Sequence, residues 1–128
     1  MSKMKRSALM FVIGGIGYGI IELIWRARTH PTMILAGGIC FLAFSQIAIK
    51  FEKKPLLFKA ILSAVTVTAV ELVFGIIFNV IFKMHVWDYS TQPFNLFGQI
   101  CLKFSFAWLL LGFLFVPLAD AINKRVAR

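Results

Sequence analysis

Four apolar runs occupy most of this 128-residue chain, at residues 8–25, 32–49, 56–82 and 96–118. Each is close to the roughly 20 residues that carry a helix across about 30 Å of hydrocarbon, and the third is long enough to tilt or protrude. Such runs predict an all-α fold: an integral-membrane four-helix bundle in a single transmembrane domain with those spans. With 60% hydrophobic residues, little of the sequence remains for a soluble head or a nucleotide-binding domain. A basic start followed by an apolar segment also fits a secretory leader. Here the apolar part is longer than a leader's core and no small-x-small cleavage site precedes Arg26, so the segment reads as a retained span.

Lysine and arginine set the expected orientation. Ten basic residues fall at the two ends and in the middle connection, against three (Arg26, Arg28 and Lys83) in the other two connections. The positive-inside rule then places both termini in the cytoplasm. A formal charge of +9 suggests nucleic acid at first sight. The charges are dispersed over short flanks without an aromatic-lined basic face, so membrane lipids, including anionic lipid at the cytoplasmic surface, are the expected partners and nucleic acid is not.

The connections shape the rest. Residues 26–31 form a link short enough to make spans one and two a hairpin, with Thr29 or His30 opening the second helix and Pro31 tolerated in its first turn. Residues 83–95 form a longer outer connection. There Trp87 and Tyr89 are expected at headgroup level, Asp88 in a local turn or beside a basic neighbour, and Asn95 as cap of the fourth helix. Gly37-Gly38-Ile39-Cys40-Phe41 and Gly98-Gln99-Ile100-Cys101-Leu102 form a faint repeat, which suggests two helical hairpins in parallel relation. Cys40 and Cys101 read as small packing residues within spans. Gly15 and Gly19 have the spacing of close helix packing, within the bundle or in a homodimer.

Polar residues inside the runs are the candidate site. In hydrocarbon an unpaired carboxylate is costly enough to be protonated, paired or turned toward a polar interior. Glu71 lies near the middle of the third run, Glu22 in the first and Lys103 in the last. Helical spacing strings Gly15, Tyr18, Glu22 and Trp25 or Arg26 along one face, with Arg26 able to snorkel back to Glu22. It strings Thr68, Glu71, Gly75 and Asn79 along a second face, and Gln99 and Lys103 along a third. If the faces meet, they enclose a polar pocket biased outward. With the fourth helix starting near Asn95, Lys103 lies ~12 Å deep and Glu71 ~16 Å. Glu71 with Lys103, Glu22 with Lys103 and a three-member network all remain open. A second candidate set, on the outer face, is Trp25, Arg26, Trp87, Asp88, Tyr89 and Asn95.

Enzyme chemistry is poorly supplied. His30 and His85 stand in different connections without a third ligand at metal-binding spacing, no serine has a convincing base, and Walker and dinucleotide signatures are missing. No catalytic residue, cofactor or metal site is expected.

Several of these residues also carry a resemblance. Gly17-Tyr18-Gly19, Glu22, Trp25-Arg26, Thr29-His30, Glu71 with Gly75 and Asn79, the run Val86 to Ser90, Pro93, Asn95, Gly98 to Leu102, Phe104-Ser105 and Trp108 resemble small bacterial membrane proteins labelled type IV ABC transporter permeases. The likeness spans nearly the whole chain. By position it implies that Glu22, Trp25, Arg26, Glu71, Asn79, Trp87, Asp88, Tyr89, Asn95 and Gln99 belong to the shared pattern, whereas Lys103 departs from it. The expected function is that of a small permease or permease-like subunit in a bacterial cytoplasmic membrane, as a homodimer or with another membrane subunit. The alternatives are an accessory or oligomeric scaffold and, behind it, a holin-like pore.

Overall fold

The computed structural model describes residues 2–26 and 30–126, except the side chains of Trp25 and Arg26. Four helices, α1 (Lys3–Arg26), α2 (Pro31–Lys50), α3 (Leu56–Phe74) and α4 (Leu102–Val126), build an all-α bundle. Each is long and apolar enough to cross a membrane, and the protein is a multi-pass membrane protein. Local signals start the first two: Ser2 Oγ accepts the Lys5 N–H at 3.2 Å, and His30 Nδ1 accepts the Thr32 N–H at 3.2 Å ahead of Pro31. Thr29, the other residue expected to open α2, lies outside the described residues.

The helices pair as two antiparallel hairpins, α1 with α2 and α3 with α4, and α2 is the most enclosed of the four. α1 leans chiefly on α2 and touches α4 only lightly. Glycine makes the first hairpin tight. A Cβ on Gly14 would collide with the Phe41 side chain and lie 2.8 Å from the Gly37 carbonyl, and one on Gly37 would lie 2.5 Å from the Cβ of Tyr18. Gly15 and Gly19 face Ile34 of α2. The spacing read as a possible dimer contact is therefore consumed inside the chain, because close approach to a neighbouring helix is what small residues permit.

Two buried clusters fill the bundle. The larger joins Met10, Phe41, Phe44, Ala48, Val67, Val116 and Ala119 from all four helices. The smaller joins Met33 to Val86 and Trp87 of the outer connection, with Tyr18, Phe74, Phe78 and Tyr89 against it.

α3 does not continue as an α-helix to residue 82. Gly75–Ile81 form a π-helical segment. Buried positions along this stretch, Ser63, Val67, Glu71, Gly75 and Asn79, recur every fourth residue. An α-helix of 3.6 residues per turn rotates such a series away from the core, and the wider π turn brings its outer members back into line.

The fourth helix starts six residues later than expected, at Leu102 in place of 96. Residues before it reverse direction in a two-residue antiparallel ladder, β1 (Asn95–Leu96) with β2 (Ile100–Cys101). Asn95 is accordingly no helix cap. Its Oδ1 accepts the Gly98 N–H at 3.0 Å and its Nδ2 donates to the Gln92 carbonyl at 2.8 Å. Gly98 has a φ of +71°, a conformation in which glycine carries no steric penalty. Its counterpart Gly37 sits inside α2, so the suggested repeat has no common conformation, and Cys101 packs in the ladder and not in a helical span.

Candidate functional site

Glu71 reaches the interior because its place on α3 falls on the buried series, and it is 9% exposed. Two donors from different elements meet its carboxylate. The Trp108 indole N–H of α4 donates to Oε1 at 3.0 Å, and the Tyr89 hydroxyl of the outer connection donates to Oε2 at 3.4 Å. Among the described residues, no lysine, arginine or histidine lies within ion-pair distance of it.

Glu71 stands on the wall of a cavity of about 210 Å³ to which all four helices contribute. Its other walls are apolar or aromatic: Tyr18, Phe41, Phe44, Trp108 and Phe115, with Val70 of α3 and Cys40 of α2. The tyrosine and tryptophan rings are tilted on one another with centroids 6.1 Å apart. Gly17 of α1 also lines this space, and a Cβ built there would meet nothing within 4 Å. The cavity exists because α1 is drawn onto α2 by its glycines and so stands off from α3 and α4.

Above Glu71 the polar residues form a separate, closed network. Asn79 on the π segment donates from Nδ2 to Gln99 Oε1 at 2.9 Å and accepts the Val86 N–H on Oδ1 at 2.7 Å. Gln99 donates from Nε2 to the Phe97 carbonyl at 2.8 Å, and its own carbonyl accepts the Trp87 indole N–H at 2.9 Å. A Cβ on Gly75 would lie 2.6 Å from Gln99 Oε1. This network fastens the outer connection to the end of α3. Such interlocking leaves few of its polar groups for a ligand.

The expected polar pocket thus divides in two. Glu71 faces an apolar cavity, while Asn79 and Gln99 knit the loop above it. Glu22 is buried, 4% exposed on α1, and is not among the residues lining that cavity. Lys103 joins neither group. With α4 starting at Leu102, it falls in the helix's first turn, is exposed, and lies with its Nζ 5.6 Å from the Phe104 ring centroid. The pairing of Lys103 with Glu71 or Glu22 is therefore not formed. A long amine near a helix end turns outward readily, since its stem covers apolar surface while its head stays solvated.

The outer-face set divides as well. The side chains of Trp25 and Arg26 lie outside the described residues, and so does the proposed return of Arg26 to Glu22. Trp87 is buried and Tyr89 reaches inward to Glu71, so both rings pack against protein. Their donors find acceptors inside the protein, and Tyr89 stacks on Phe104 with ring centroids 4.9 Å apart. Asp88 makes the local turn, its Oδ1 accepting the Ser90 N–H at 2.8 Å. That backbone hydrogen bond, then the Ser90 side chain and the charge of His85, holds its carboxyl below the usual aspartate range.

Trp108 is the residue the polar-face reasoning missed. A donor-only indole in the middle of an apolar span needs an acceptor at its own depth, and Glu71 is one. No group of three or more histidine, cysteine, aspartate or glutamate side chains among the described residues is arranged to hold a metal ion. A family model described as "Putative ABC-transporter type IV" matches residues 8–128. No curated protein and no solved structure matches the chain.

Proposed function

The chain belongs to the ABC-transporter type IV family, and on that premise we propose that it is a permease-type subunit whose helices shape a solute site around Glu71. One observation supports the site above all: a buried carboxylate, held by Trp108 and Tyr89, borders a cavity that is otherwise apolar and aromatic. A carboxylate in such surroundings is expensive to keep for packing alone. The chain has no nucleotide-binding signature, so the driving force comes from a partner ATPase or from an ion gradient.

Residues near both ends of the described chain, Lys3 and Arg6 of α1 and Asn123 of α4, line one crevice of about 260 Å³ with Ser7, Ser45 and Gln46. The basic flanks gather at this end, which we assign to the cytoplasmic side of a bacterial inner membrane. Asn123 donates to Ser45 Oγ at 2.6 Å, and its Oδ1 is buried without a hydrogen-bond partner. An anionic lipid headgroup suits the crevice, with phosphate toward Lys3 and Arg6. A second copy or another membrane subunit would complete the transport path. Because Gly15 and Gly19 are spent on Ile34, such a contact uses outward residues of α1 such as Ile16 and Ile20.

The test is flux into proteoliposomes under an imposed pH gradient, over a panel of small cationic, neutral and anionic aromatic solutes. Wild type is expected to give saturable uptake of some members. Glu71→Gln should abolish it while melting with the wild-type protein; equal uptake by both proteins would contradict a solute site at Glu71.

A further inference from the structure

Taking the solute site at Glu71 as given, we infer that its occupant is a small hydrophobic cation, an aromatic or alkyl quaternary ammonium in chemical class. The inference rests on what the cavity contains and what it lacks. Its walls carry one acidic group and no basic one. The two groups that touch Glu71 are neutral donors. A carboxylate offers about four lone-pair positions, so two hydrogen bonds leave room for a further contact. Positive charge is what its surroundings do not supply.

The remaining walls fit the same class. Tyr18, Phe41, Phe44, Trp108 and Phe115 present aromatic surface around the space, and ring faces attract an organic cation most strongly where water is excluded. An anion would meet the carboxylate with like charge. A strongly hydrated inorganic cation would forfeit its water shell to walls that offer almost no oxygen ligands. A neutral aromatic compound would fill the space without using Glu71. The volume of about 210 Å³ is below the roughly 300 Å³ at which ordinary drug sites begin, which selects a compact molecule.

Gly17 provides a control that leaves the carboxylate untouched. Its missing side chain opens onto the cavity with no atom within 4 Å, so Gly17→Leu fills the space from the opposite wall while sparing the packing between α1 and α2. Binding of benzyltrimethylammonium and of its uncharged carbon analogue, neopentylbenzene, is measured by equilibrium dialysis on the full chain in lipid nanodiscs. Wild type should bind the cation on the order of tenfold more tightly than the analogue. Glu71→Gln should erase that preference, and Gly17→Leu should weaken both ligands with an unchanged melting temperature.

Equal binding of the two ligands by wild type, or a preference that survives Glu71→Gln, overturns the cation assignment and leaves the solute site standing. If Glu71→Gln fails to fold, the charge preference of wild type and its loss of occupancy in Gly17→Leu decide the matter. Binding of neither ligand, or binding indifferent to Gly17→Leu, overturns the cation assignment. Whether the solute site falls with it is read independently from the flux of the neutral and anionic solutes.

Discussion

Trp108 and Tyr89 bring their donors to one carboxylate from different parts of the chain, which makes Glu71 a junction between α4 and the outer connection. Of the two, the Trp108 contact at 3.0 Å has ordinary hydrogen-bond length and does most to orient the carboxyl group, while the Tyr89 contact at 3.4 Å is a long one. Asp88, one residue from Tyr89, does different work at the exposed surface. Its carboxylate holds the turn through the Ser90 N–H, and its folded-state titration lies below the ordinary aspartate value. Since the folded value is the lower one, the turn's stabilisation is fully present above the unfolded pKa of about 3.9 and fades as pH falls through the folded value. Thermal melts of wild type and Asp88→Asn should therefore differ at about pH 5 and converge as pH falls below about 4. A difference that widens below about pH 4 would contradict this role.

At the scale of elements, the π segment and the outer connection determine one another. Gly75 admits Gln99, and Asn79 one turn later secures both Gln99 and Val86. The same chemical change should then have opposite outcomes at two glycines. Gly75→Ala pushes a Cβ into Gln99 and is expected to destabilise by about 1–3 kcal/mol through overpacking. Gly17→Ala enters open space and should be neutral or stabilising by up to about 1 kcal/mol through helix propensity. Denaturation of the two variants in mixed detergent checks the contrast, and a similar loss at both positions would contradict it. Sequence could show that Asn79 and Gln99 were too polar to face lipid. It could not show that they pair, because that depends on a π turn and on a helix start displaced from 96 to Leu102. The apolar alphabet does not encode either shift: Leu96, Ile100 and Cys101 continue the hydrophobic run while their backbone makes a ladder, and Phe97 lies in the turn between its strands. Exposed Phe94 and Phe97, with φ near +55°, belong to that same reversal.

For the whole molecule, run length and hydropathy were enough to define four helices, since continuous apolar runs of about 20 residues satisfy their backbone in hydrocarbon as helices, whereas barrel strands are about half as long and alternate. Site geometry was legible only in part. Glu71 was marked by the penalty on its charge, but Lys103, which the sequence offered as a partner for Glu71, for Glu22 or for both, lay close enough to a helix end to turn outward, and Trp108 meets Glu71 instead. The glycines of α1 were legible as packing residues, whereas the cavity they leave beside α3 and α4 arises from the relative placement of all four helices. Membership in the ABC-transporter type IV family is the ground on which a solute site is proposed there. Carbodiimide labelling, followed by mass spectrometry of the protein in lipid, tests its central feature most directly. Glu71 should react with hydrophobic dicyclohexylcarbodiimide, react more slowly in Gly17→Leu, and resist a water-soluble carbodiimide that modifies exposed Glu52. Modification of Glu71 by the water-soluble reagent as fast as Glu52 would contradict a carboxylate enclosed between the helices.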